Sequence, residues 1–104
     1  MIPKVFQEFM RQLLQQTERG TLVWSAAEFD SYVCDHKEYT LIIRRFFDAD
    51  REVDHVIFRF ISGDKNTPFS VSDNDADYAQ MVKIYDAVIA NANTVSDDLE
   101  KFFD

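Results

Sequence analysis

YTLIIRRFFDADREVDHVIFRFI, residues 39 to 61, is a pair of β-branched and aromatic runs separated by five polar or small residues, Asp48 to Glu52. Branched and aromatic side chains suit a pleated, half-buried surface, so each run reads as a strand and the polar interval as the turn joining them. In the second run Val56, Phe58 and Phe60 alternate with His55, Ile57, Arg59 and Ile61, which is the two-residue period of a strand with one covered face. On either side of this hairpin the pattern continues. Tyr32 to Cys34 precede it across the polar turn Asp35 to Glu38, and Phe69 to Val71 follow the turn Ser62 to Thr67, with Pro68 marking a short edge strand. Leu22 to Trp24 read as a first short strand, and Ser25 to Asp30 follow no clean period. The expectation is an antiparallel meander of about five strands.

Outside this block the period changes to that of a helix. Ile2, Val5, Phe6, Phe9, Met10, Leu13 and Leu14 form one apolar stripe, begun at Pro3 and stopped at Gly20. Tyr78, Met81, Val82, Tyr85, Val88, Ile89 and Ala92 form a second. Each stripe needs a surface to cover, and the meander supplies it, so both helices are placed on one face of the sheet in an α+β arrangement. After Asn93 and Thr94 a short tail helix from Asp97 to Phe103 gathers Leu99, Phe102 and Phe103 on one side, and it is expected to dock on the core.

The chain of 104 residues is 46 % hydrophobic, with ten phenylalanines, which is the composition of a packed globule and of one domain spanning residues 1–104. Linkers, repeats and low-complexity segments are missing from it. No run approaches the roughly 20 apolar residues of a membrane span. The first ten residues lack a secretory pattern, and the single cysteine cannot form an internal disulfide; cytoplasmic residence is the expectation. A formal charge of −8 disfavours nucleic acid as a partner, since phosphate binding depends on basic groups. Two glycines leave no room for a phosphate-binding loop, a dinucleotide fingerprint or a Gly-flanked nucleophilic serine, so no cofactor is expected.

LLQQTERGTLVW at residues 13–24, YTLIIRRF at 39–46 and MVKIYDAVIANA at 81–92 together resemble small bacterial α/β proteins of uncharacterised function. The resemblance implies a helix, meander and helix architecture. It implies no activity and lends no functional residue.

Three groups of side chains bear on chemistry. Asp73, Asp75 and Asp77 alternate as a calcium loop begins, but Tyr78 stands where that loop needs Gly and Ile84 where it needs a bidentate Glu; the acids are read as helix-capping residues. Cys34 and His36 share one face of a strand and His55 lies on another strand, which falls short of the four ligands of a structural zinc. Nucleophilic catalysis by Cys34 with His36 or His55 remains as a third functional class, without the clustered lysines or helix start that would activate the thiol. Arg45 and Arg59 are candidates to share a face and hold an anion, against the simpler reading that they pair with local acids.

The remaining signal lies on the far side of the sheet. If Val56, Phe58 and Phe60 meet the helices, then His55, Ile57, Arg59 and Ile61 point away from them, and the run from Tyr39 leaves either Ile42 with Phe46 or Leu41 with Ile43 beside them. Apolar rungs on an outer face call for a second covering surface. The expected function is a non-catalytic protein–protein interaction or regulatory module that self-associates as a homodimer through this face. The alternative is an acidic, immunity-like inhibitor of a basic partner.

Overall fold

The computed structural model describes all 104 residues. Helix α1 (Lys4–Arg19) is followed by strands β1 (Ser25–Ala26), β2 (Ser31–His36), β3 (Tyr39–Asp48), β4 (Val53–Ser62) and β5 (Lys65–Ser72), then helices α2 (Tyr78–Ala92) and α3 (Val95–Phe102). The five strands form one antiparallel sheet in the order β1-β2-β3-β4-β5, so every strand pairs with its neighbour in sequence. This is the expected α+β meander, with the helices packed on one face.

Register explains which side chains reach the core. Leu41 stands opposite Phe60, Ile43 opposite Phe58 and Arg45 opposite Val56, and Val56 and Phe58 face Val71 and Phe69 across the other ladder. These residues line the inner face, where Phe6 of α1 packs edge-on against Phe58 at 6.0 Å between ring centroids and Tyr85 of α2 meets Tyr32 at 5.8 Å. Such aromatic pairs contribute roughly 0.5–1.5 kcal/mol beyond the area they bury. Ile2, Met10, Trp24, Met81, Ile84 and Val88 complete one contiguous core.

Both sheet edges are short or blunted: β1 has two residues, and β5 carries Pro68, which has no N–H to offer another chain. Gly20 ends α1 in the left-handed region, φ 78°, where its freedom from a Cβ matters. The chain then turns back, and Thr21 N–H donates to the Gln16 carbonyl at 3.1 Å.

Four local expectations are corrected. Leu22 to Trp24 do not form the first strand; Trp24 is buried against the helices, its indole N–H donating to Thr17 Oγ1 at 3.1 Å, and the strand begins only at Ser25. The turn expected over Ser62 to Thr67 narrows to Gly63 and Asp64, because the exposed residues Lys65 to Thr67 pair with Ser62 to Phe60 as part of β5. The three aspartates do not cap α2. Asp75 accepts from the Met1 α-ammonium and from Ser72 N–H, both at 2.9 Å, Asp77 from Ile2 N–H at 2.8 Å, and Asp73 from Asp54 N–H at 3.1 Å, so they fasten the entry of α1 and the start of β4 instead. Finally, the tail helix does not dock: α3 buries none of its residues, and Leu99, Phe102 and Phe103 are 64 %, 76 % and 91 % exposed.

Candidate functional site

The outer face of the sheet is built by the side chains that alternate with the core. Val33 stands opposite Ile42, Ile42 opposite Arg59, and Arg59 opposite Pro68; in the next row Ser31, Arg44, Ile57 and Ser70 align. His55, Ile57, Arg59 and Ile61 therefore all lie on the face away from the helices, with Ile42 and Phe46 beside them. No helix covers these rungs. Val33, Ile42, Ile57 and Ile61 are half-buried by their neighbours, and Phe46 is largely open.

The loop between β1 and β2 folds over one end of this face and turns it into a groove. Ala27 N–H donates to the Ser31 carbonyl at 2.8 Å, and the turn between them places both Phe29 and Asp30 in the left-handed region at φ 58° and 57°. Two successive non-glycine residues in that region store strain, which surrounding contacts must hold. The Tyr85 hydroxyl supplies one such contact by donating to the Asp30 carbonyl at 2.8 Å. Phe29 is thereby fixed at the rim, 76 % exposed. The groove has a volume of about 440 Å³, with Val33, Ile42 and Ile57 in its lining together with Arg44 and Arg59.

Its electrostatics are unusual for an acidic chain. The three ion pairs of the structure are Met1 with Asp75, Arg11 with Glu8 and Arg45 with Asp54; neither Arg44 nor Arg59 is paired. The Arg44 guanidinium lies 5.4 Å from the centre of the Phe46 ring, a cation–π contact, while its Nε–H is buried with no acceptor in reach. A buried donor left unmatched costs about 1–3 kcal/mol.

Arg45 belongs to the other face and pairs there with a local acid, so the candidate anion site with Arg59 does not form. It follows Leu41 and Ile43 in parity, so it points toward α2, where its Nε donates to Asp54 at 2.8 Å and its terminal nitrogen to the Tyr78 hydroxyl at 3.0 Å. Tyr78 also donates to Asp54. Burial works to raise the Asp54 carboxyl, but the hydrogen bonds from Tyr78 and Arg45 outweigh it and hold the group below the usual carboxylate range. Arg44 and Arg59 are the pair that shares a face.

The cysteine-centred alternative is not assembled. Cys34 is 1 % exposed on the inner face, and His55, opposite Phe46, lies on the outer one. His36 shares the face of Cys34 but is exposed, and no hydrogen bond joins the two. Burial pushes the thiol up from its ordinary value, which is the reverse of what a nucleophile needs. No three His, Cys, Asp or Glu side chains converge as a metal site, and no helix is long and apolar enough to cross a membrane.

Comparison with protein-family models, curated proteins and solved structures finds no match to this chain. The strained turn at Phe29 and the free Arg44 are features that periodicity does not carry.

Proposed function

We propose that this protein is a non-catalytic interaction module that binds a protein surface through the outer face of its sheet, and that it self-associates there. The observation that supports this reading is the row of apolar rungs that no helix of the chain covers, bordered by Arg44 and Arg59, neither of which is in an ion pair. A purely solvated sheet face shows clean polar alternation; here Val33, Ile42, Ile57 and Ile61 interrupt it. His55, Ile57, Arg59 and Ile61 form the centre of the proposed surface, with Ile42 and Arg44 extending it. An acidic inhibitor of a basic partner draws on the charge of −8, but the charges within the groove lining are those of Arg44, Arg59 and Glu28, a mixed set.

The test is sedimentation equilibrium of the wild type beside Ile57→Glu, a variant whose new carboxylate lies between two arginines and so need not harm the fold. The expected result is a dimer at tens of micromolar for the wild type and a monomer of unchanged circular dichroism for the variant. A monomeric wild type, or a variant that still dimerises, refutes the reading.

A further inference from the structure

We infer that the occupant of the outer groove is helix α3 of a second copy of this chain. The inference rests on the self-associating reading above and names its contact.

Val95, Leu99, Phe102 and Phe103 recur at helical spacing along one side, the pattern of anchors that a helix presents to an apolar groove. Exposed apolar side chains scattered singly need no explanation, but Leu99, Phe102 and Phe103 are contiguous, and the two phenyl rings stack edge-on at 4.9 Å. The chain's own body does not take them. A gap of about 500 Å³ separates the start of α3 from Leu22, Val23 and the end of α1; half-buried Val95 lines it, and Leu99, Phe102 and Phe103 lie outside it. The outer groove lies across the sheet from the helical layer, and only Asn93 and Thr94 join α3 to α2. A second molecule is the direct way to bring tail and groove together.

Charge then selects the tail from other apolar helices. The groove carries Arg44 and Arg59, with Glu28 in its lining, and none of the three is in an ion pair. The tail carries Asp97, Asp98, Glu100 and Asp104, with Lys101 among them. Each surface therefore presents the opposite mixture from the other, around an apolar centre. Like-charged faces directly apposed would repel, so a local match of this kind is what lets two copies of net charge −8 meet at all.

Two full-length variants separate the surfaces. In the tail variant Leu99→Asp and Phe102→Asp alter only exposed residues; in the groove variant Arg44→Glu and Arg59→Glu reverse the charge. Should the double groove variant fold poorly, Arg59→Glu alone replaces it, since that side chain is exposed. By sedimentation each variant alone is expected to be monomeric where the wild type is dimeric, and an equimolar mixture to regain a one-to-one dimer through its one intact tail and one intact groove. A fluorescein-labelled peptide of residues 93–104 is expected to bind the tail variant and to bind the groove variant at least tenfold more weakly. If the tail variant stays dimeric while Ile57→Glu dissociates, the outer face is an interface but the tail is not its ligand, and the inference fails alone. If Ile57→Glu stays dimeric, or the wild type is monomeric, the inference falls together with the reading beneath it.

Discussion

Replacing Asn91 with alanine removes three hydrogen bonds at once. Its Oδ1 accepts from Trp24 N–H at 2.9 Å, and its Nδ2 donates to the Thr17 and Leu22 carbonyls at 3.1 and 2.8 Å. This one side chain thus joins the end of α1, the connection to β1 and the last turn of α2. A net hydrogen bond contributes about 1 kcal/mol, and alanine returns up to about 0.7 kcal/mol of helix propensity at an interior position, which leaves a loss of about 2 kcal/mol. For a domain of this size that lowers Tm by about 8–16 °C and the urea midpoint by about 1 M at constant slope. Trp24 is the single tryptophan and one of the bonded partners, so its fluorescence during urea unfolding reports the change directly. Asn91→Asp keeps the acceptor for Trp24 but sets a charge against two carbonyl oxygens, and it should be at least as destabilising. A loss under about 0.5 kcal/mol for the alanine variant would show that water replaces these bonds and would refute the reasoning.

Gly20→Ala should cost about 1 kcal/mol by urea unfolding, because the left-handed conformation is strained for alanine although no atom lies within 4 Å of the added Cβ; a neutral result would place the cost elsewhere. Asp54 is held below its ordinary range, so the stability it contributes is complete above about pH 4 and declines as the pH falls through its lowered value; Asp54→Asn should flatten the acid limb of a stability–pH profile. The Cys34 thiol is raised by burial, which contributes stability below about pH 8.5 that is lost as the pH rises through the folded value, and an aromatic disulfide reagent should label it only at the rate of unfolding.

Much of this architecture was readable because burial imposes a period. The stripes of α1 and α2 and the alternation of β3 and β4 each repeat often enough to name their element, and parity alone sends Ile57 and Arg59 to the opposite face from Phe58. Where a segment is too short to repeat, pattern fails. Two residues, Ser25 and Ala26, make β1, while the apolar Leu22 to Trp24 beside them owe their character to the helices. Lys65 to Thr67 are polar because this end of the edge strand is exposed on both faces. Asp75 and Asp77 resemble caps in sequence because the partner they serve, the start of α1, lies more than 70 residues away. The same remoteness hid the groove: the outward parity of β3 was left open and Arg45 rather than Arg44 was set beside Arg59, while the overhanging turn at Phe29 depends on how β1 and β2 meet. In the tail, the stripe of Leu99, Phe102 and Phe103 was legible, and what it covers was not.

The meander has a kinetic corollary. Every strand finds its mate across a connection of two to four residues, so hairpins close locally and cheaply, as in other low-contact-order chains. Apart from the Trp24 bond to Thr17, the first helix finds its mates far along the chain: Phe6 packs on Phe58 and Phe69, and Thr17 bonds Asn91, while Ile2 just ahead of it bonds Asp77. During synthesis the greasy side of that opening helix waits for the last strands of the sheet, and the second long helix, the last core element to emerge, then closes the layer beside it.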